Sequence, residues 1–353
     1  MQISENSGNL LYAAIHGSHV RMRPPCICPG GMMNMMTTDL MDLCGSYWPE
    51  AHTDPEEMAA LACTAYTNGL FDNIGVPFCM TVEAEAMGAE VDLGDRKTEP
   101  RVTGYPLASV SGFPEVLHPI DLTRGRVKVV LDALHLIKER CPEAAVMANL
   151  TGPISLASSL VDANRYYKDL RKKKEESHAL MDFVTDQLIL FGKAQLAAGA
   201  RFVTISDPSG TGEILGPKLF EEYALPSLNR ICEALRPYSD GVIVHICGQL
   251  RSIYPVLAKL NTDALSVDAV VNLKSLRENV PGKAIMGNVS TFALAGGDPK
   301  IIRTLCRNCL KNGADILAPA CGLGTTTTAD SIRLMREAAE EAYEKNTWGE
   351  EEA

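Results

Sequence analysis

Short apolar runs recur along this 353-residue chain, separated by stretches long enough to be helices. Eight stand out: PPCICPGG, NIGVPFC, AAVMANL, RFVTIS, GVIVHIC, ALSVD, KAIMGN and DILAPA. Most are apolar at consecutive positions rather than alternate ones. A strand of that kind is buried on both faces, and such strands belong to parallel sheets covered by helices. Eight of them, alternating with helix-length segments, predict an α/β fold of the (β/α)8 TIM-barrel type. Barrels run to ~250 residues or more as one unit. The expectation is therefore a single domain over residues 1–353, with an irregular polar segment over about 1–22.

Local signals agree with this pattern. Asp54-Pro55-Glu56-Glu57 supplies an N-cap, a proline at the first helical position and a carboxylate at the third, followed by Met58, Leu61, Ala62 and Ala65 on one face. A further helix is expected from about Ala179 to Ala198. After Asp298-Pro299, the residues Ile301, Ile302, Leu305, Cys306, Cys309 and Leu310 make one apolar face, and Gly313 provides a stop. Between the second and third strands, the stretch from Gly88 to Pro119 holds many Gly and Pro residues, which predicts an insertion forming a hairpin or lid. The run Arg171-Lys172-Lys173-Lys174-Glu175-Glu176 changes sign halfway and precedes an apolar-periodic segment. It reads as a solvated helix start.

Composition narrows the functional classes. With 46 % hydrophobic and 22 % charged residues, the chain can build a substantial core. A formal charge of −11 argues against a nucleic-acid partner, whose phosphates call for basic surface. No apolar run reaches the ~18 residues of a membrane span, and MQISENSGNL has neither the charged nor the apolar region of a signal peptide. A cytoplasmic protein is expected. Eleven cysteines, an odd number, fit reduced thiols, with a few free to serve as ligands.

In parallel barrels the reacting groups sit where strands end at the C-terminal mouth. The polar residues there are Asp207, His245, Cys247, Asp268, Asn288 and Cys321. His245 and Cys247 are two apart, so both point to the same side. One imidazole and two thiolates suit Zn2+, and three protein ligands leave a fourth position open, as in catalytic sites. The same residues also fit a hydrogen-bonded core histidine and two buried free thiols. Gly248, Gly322 and Gly324, placed after the candidate ligands, look like turns that keep the mouth open. Cys306 and Cys309 read as core, Cys26 and Cys28 as barrel interior, and His52 as structural. Glu83 and Glu85 in TVEAEAMG read either as solvated or capping residues or as mouth-lining ones.

Taken in order, PGGMM, SYWPEAH, GVPFCMTVEAEAMGAEV, SDPSGTGE, VHICGQL, MGNVST and PACGLGTTT resemble the methylcobalamin:coenzyme M methyltransferases of the uroporphyrinogen decarboxylase superfamily. The resemblance spans Pro29 to about Thr328. It implies a (β/α)8 barrel that binds zinc through His245, Cys247 and Cys321. The activity it implies is transfer of a methyl group from methyl-Co(III) of a corrinoid to a zinc-activated thiol such as coenzyme M. Coordination would strip the thiol of its proton, and Co(I) would be the leaving group. No Asp-x-His-x-x-Gly signature occurs, so the corrinoid is expected on a separate protein that docks over the barrel mouth.

Within that resemblance, Asp207 and Asp268 are expected to orient His245 or line the approach to the metal, with plain strand-end hydrogen bonding as the alternative. Gly322, Gly324 and Thr325, with Thr326, are expected to bind an acceptor sulfonate through backbone N–H groups at a helix start. Asn288 and Glu83 complete the candidate cofactor-binding set. Two rival readings are another acceptor, tetrahydrofolate or homocysteine, and uroporphyrinogen decarboxylation. The decarboxylases carry Arg-Gln-Ala-Gly-Arg where this chain has Pro29-Gly30-Gly31-Met32-Met33, and a catalytic Asp where it has Cys79.

Overall fold

A computed structural model describes residues 6–17 and 22–344. Its strands, in chain order, are β1 (Asn73–Val76), β2 (Glu90–Asp92), β3 (Arg101–Gly104), β4 (Ala145–Thr151), β5 (Phe202–Ser206), β6 (Gly241–Ile246), β7 (Ala264–Val267), β8 (Ala284–Val289) and β9 (Ile316–Pro319). Seven form one parallel sheet in the order β1-β4-β5-β6-β7-β8-β9, each pairing with the next along the chain. The helices Pro55–Thr67, Gly125–Arg140, Lys174–Ala198, Leu225–Leu235 and Pro299–Lys311 lie among the connections, and Ala329–Glu344 follows β9.

The continuous apolar runs of the sequence divide into two sets once paired. Phe202, Ile243, Ala264 and Met286 gather in one buried cluster with Met147 and Ile316. Their neighbours Val203, Val242, Val244 and Leu265 belong to the larger core shared with the helices, among them Leu188, Phe191, Leu228 and Ile231. Each Val, Leu, Ile, Phe or Met among them contributes about 1.5–3 kcal/mol on full burial, so both faces of the sheet hold it in place. The parity matters for chemistry, because His245 and Ser266 share a face with Ile243 and Ala264 and are paired in register.

Beside β9 and β1 runs the segment around Cys26. Ile27 N donates to Leu317 O at 3.0 Å and Leu317 N to Pro25 O at 2.9 Å, while Asp72 N donates to Cys26 O at 2.8 Å. Cys28 exchanges two bonds of 2.9 Å with the Asn73 side chain. The expected first strand thus occupies the gap between the sheet's two edge strands, with one bridge, Cys26 to Leu317. Gly75 lies so close to it that an added Cβ would stand 1.5 Å from Pro29 O.

Three sequence expectations change. The start expected to be irregular contains the helix Ser7–Ile15, capped by Asn6. Leu11, Ala14 and Ile15 enter the buried cluster of Met147, Phe202 and Ile243, so burial of an apolar stripe outweighs the polar character of the segment. Residues 1–5 and 18–21 of that start lie outside the described residues. Ile301 is 51 % exposed, although Ile302, Cys306 and Leu310 of its helix are buried. The charged run straddles two helices: Arg171 and Lys172 end Ala163–Lys172, and Glu175 and Glu176 open Lys174–Ala198. Its change of sign matches the dipoles of both ends.

The caps at Asp54 and Asp298 form as expected, each accepting two backbone N–H bonds. In the Gly- and Pro-rich stretch between β1 and β4, β2 and β3 pair antiparallel.

Candidate metal centre

His245 is the penultimate residue of β6 and is fully buried. Its Nδ1 lies 3.0 Å from Ser266 Oγ on β7, and its Nε2 lies 3.1 Å from Cys247 Sγ. With Nδ1 engaged by the serine, Nε2 is left facing the sulfurs. Cys321 lies just past the end of β9 and reaches across the mouth, placing its Sγ 3.7 Å from Cys247 Sγ. The three ligand atoms lie within 4.8 Å of one another. Two thiolates on one tetrahedral zinc, each at about 2.3 Å, are separated by about 3.8 Å. Donor set and spacing therefore fit Zn2+.

The two sulfurs are linked through the hydrogen bond between them. The hydrogen bond between them pushes Cys247 up, with burial adding to it. The same bond holds Cys321 down, helped by His245 against the opposing effect of burial.

Of the two readings of the aspartates, strand-end hydrogen bonding is the one their contacts match. Asp207 follows β5 and is fully buried, but its carboxylate faces the helix Pro153–Leu160. It accepts from Ser155 N at 2.8 Å, Ser155 Oγ at 2.7 Å and Ile154 N at 3.2 Å. Only its backbone N–H reaches His245, at the carbonyl oxygen. A helix N-terminus offers unsatisfied donors and a positive dipole end, and it takes the carboxylate in preference to the imidazole. Burial pushes the Asp207 pKa up, and the Ser155, Ile154 and Gly210 hydrogen bonds oppose it. Asp268, half-buried, accepts from Gly248 N at 3.1 Å and Val270 N at 3.2 Å. It holds the turn that carries Cys247 rather than the His245 ring.

The candidate cofactor-binding residues are likewise engaged in holding loops. Asn288 donates to Asp268 O at 2.8 Å and Val271 O at 2.9 Å, and its oxygen receives the Cys309 thiol at 3.5 Å. Glu83, 1 % exposed, accepts Thr151 N at 2.8 Å and Thr151 Oγ1 at 3.0 Å, fixing the end of β4. Burial raises its pKa against those bonds. Its neighbour Glu85 pairs with Arg126 at 2.6 Å. The expected sulfonate turn does not open a helix, since the last helix begins at Ala329. Thr325 Oγ1 donates to Lys97 O at 3.2 Å, and Gly322 packs where an added Cβ would stand 2.6 Å from Met32 O. Gly324 is exposed beside them. These residues tie the loop after β9 to residues 32–38 and to the hairpin.

Two participants escaped the sequence reading. Ser266 was legible in principle, as the one polar residue within β7 (Ala264–Val267), at the parity of Ala264. Glu99, on the hairpin loop, accepts from Asn34 Nδ2 at 3.1 Å. Desolvation raises its pKa, opposed by Asn34 and reinforced by the nearby Cys321.

The profile of the uroporphyrinogen decarboxylase (URO-D) family matches residues 6–342. The chain belongs to the uroporphyrinogen decarboxylase family. Within it, the chain is 31 % identical over 331 residues to methylcobamide:CoM methyltransferase MtbA of Methanosarcina acetivorans, covering 93 % of this chain and 96 % of the relative. It is 30 % identical to methylcobamide:CoM methyltransferase MtaA of Methanosarcina barkeri over 342 residues, covering 94 % and 97 %. A solved methyltransferase from Methanosarcina mazei superposes with a TM-score of 0.89 at 31 % identity, covering 96 % of this chain and 99 % of that one.

Members of the family named uroporphyrinogen decarboxylase, from Xanthomonas campestris, match less of the chain, at 27 % identity over 277 residues. The positions that separate the two branches are built differently here. Gly30 and Gly31 both have positive φ, 108° and 60°. Gly30 N donates to Met33 O and Gly31 N to Pro77 O, which makes a tight turn without an arginine. Cys79 receives a hydrogen bond from Arg126 Nη1 at 3.4 Å and lies 3.3 Å from Thr81 Oγ1. His52, pushed down to about 3 by burial and by Arg126, is neutral and packs between Trp48 and Phe78.

Proposed function

We propose that this chain is a zinc-dependent methyltransferase that moves a methyl group from a methylated corrinoid protein to a thiol such as coenzyme M. The observation that carries the reading is the His245, Cys247 and Cys321 set, three soft to borderline ligands converging at the strand ends and leaving a fourth position for the acceptor sulfur. The names of the relatives, methylcobamide:CoM methyltransferases, agree with it.

The architecture behind this reading is an eight-stranded closed barrel, with the segment around Cys26 as the strand between β9 and β1. The two-sided hydrogen bonding of that segment supports closure. The reading also takes the chain as a single domain in which the β2–β3 hairpin is the lid inserted between the second and third barrel strands. Eleven free cysteines suit a reducing cytoplasm. Among the described residues no helix is long and apolar enough to cross a membrane.

Zinc at this site would supply a Lewis-acid centre that keeps a bound thiol deprotonated at neutral pH. The residues of the chain do the rest. Ser266 fixes the His245 ring so that Nε2 faces the ligand cluster. Asp268 holds the Gly248 N–H and with it the turn that sets Cys247. Two cysteinates balance the charge of Zn2+, so an added thiolate keeps its electron density and its nucleophilicity. Asp207, Asn288 and Glu83 hold the surrounding strand ends, and Gly322, Gly324 and Thr325 hold the loop that carries Cys321.

The test is loss of the methylcobalamin absorbance in the presence of purified protein and one acceptor at a time. Coenzyme M should drive demethylation. Turnover only with homocysteine or tetrahydrofolate would reassign the acceptor, and no turnover with any of them would refute the proposal.

A further inference from the structure

The mouth around His245, Cys247 and Cys321 is asymmetric. On the β9 side the hairpin loop lies over it, joined through Lys97, whose carbonyl accepts from Thr325, and through Glu99, which accepts from Asn34.

On the other side, the loops after β5, β6 and β7 are bonded into one platform anchored on Asn288 of β8, and the short helix Thr291–Gly296 follows that strand. Gln249 N donates to Glu213 Oε2 at 3.0 Å, and Gln249 Nε2 to Val270 O at 3.5 Å. Gly248 N donates to Asp268, and Asn288 ties Asp268 and Val271 to β8. These bonds occupy polar groups within the platform, while its outward side chains include large apolar ones. Ile214 is 45 % exposed, Val270 54 % and Phe292 90 %. Phe292 is the most exposed large hydrophobic residue among the described residues. Leu294 of the same short helix is buried, so the helix has an inward face from which Phe292 is turned away.

We infer that this platform is the docking face for a protein carrying a methylated corrinoid. The inference rests on the proposed methyl transfer and adds the direction of approach. A donor methyl must come within bonding distance of the acceptor sulfur, so a carrier protein must touch the surface bordering the three ligands. The hairpin lies on the β9 border, and the β5–β8 border presents the apolar side chains. The platform is continuous with the ligand set through Gly248, next to Cys247. An exposed aromatic together with a few exposed aliphatic side chains is the composition of an interface centre, and a small apolar surface suits a partner that must leave after each turnover.

The experiment uses the full-length, zinc-loaded protein with Phe292→Ala and with the pair Val270→Ser and Phe292→Ala. Steady-state kinetics are measured with a methylated corrinoid protein and, separately, with free methylcobalamin. The KM for the corrinoid protein should rise roughly 10-fold or more, while kcat/KM for free methylcobalamin stays within about twofold and zinc content is unchanged. Tyr238→Ala, at an exposed position before the N-terminal end of β6, should change neither. An unchanged KM for the corrinoid protein, an equal loss with both donors, or an effect confined to self-association would overturn the inference. Calorimetric binding of the same corrinoid protein to wild type and Phe292→Ala separates this failure from failure of the methyl-transfer reading. Binding weakened by the variant supports the docking face even without turnover, and equal binding overturns it.

Discussion

Replacing Ser266 by alanine tests how the His245 ring is held. Ser266 Oγ lies 3.0 Å from His245 Nδ1, and both residues are fully buried. The variant leaves the Nδ1–H without its partner in a place water does not reach. A buried donor left unpaired costs about 1–3 kcal/mol. The alternative tautomer, with the proton on Nε2, avoids that cost but removes the lone pair a metal needs. Either way the penalty falls on the metal-binding form. At about 1.4 kcal/mol per factor of ten, zinc affinity should fall roughly 5- to 150-fold, in line with the ~10–100-fold found for outer partners of metal-bound histidines. Competition with a chromophoric zinc chelator measures the Kd. A Kd within about twofold of wild type would refute the argument, and a loss of thermal stability alone would reduce Ser266 to a packing role.

Further outcomes follow from the same geometry. Asp207→Asn should lower stability by about 1–3 kcal/mol, because the amide turns an N–H toward the Ser155 and Ile154 donors and leaves buried groups unpaired, yet keep its zinc; metal loss at unchanged stability would return Asp207 to the metal. Glu83 has a raised pKa in the fold, so its contribution to stability is fully present below the unfolded value of about 4.3 and declines as pH rises through the folded value. The stability gap between wild type and Glu83→Gln in urea melts should therefore narrow over that window, and a gap that widens would contradict the assignment. Gly75→Ala should yield no folded protein by circular dichroism, since its Cβ would meet the Pro29 carbonyl at 1.5 Å. Gly296→Ala, with nothing within 4 Å, should melt close to wild type.

Much of this architecture was legible in the sequence because burial on both faces leaves a plain trace. Runs such as GVIVHIC cannot sit at a solvated surface, and the residues at their ends mark the mouth. That rule together with ligand chemistry singled out His245, Cys247 and Cys321, whose ligand atoms lie within 4.8 Å of one another. The roles of the other strand-end residues stayed open in the sequence for one physical reason. A carboxylate or amide at a strand end has helix termini and loop backbone within reach, and these compete with the site for it. Asp207 went to Ser155, Glu83 to Thr151 and Asn288 to Asp268 O and Val271 O. The sequence holds no record of which neighbour wins. The helix Ser7–Ile15 was missed because its start is polar and its partners, Met147 and Phe202 among them, lie far along the chain.

The measurement that bears most directly on the account is the zinc content of purified wild type and Cys321→Ala, made together with coenzyme M-dependent loss of the methylcobalamin spectrum. The account predicts one zinc per chain and thiol-dependent demethylation in wild type, with both lost in the variant. A wild type without zinc, or a variant that still demethylates, would contradict it.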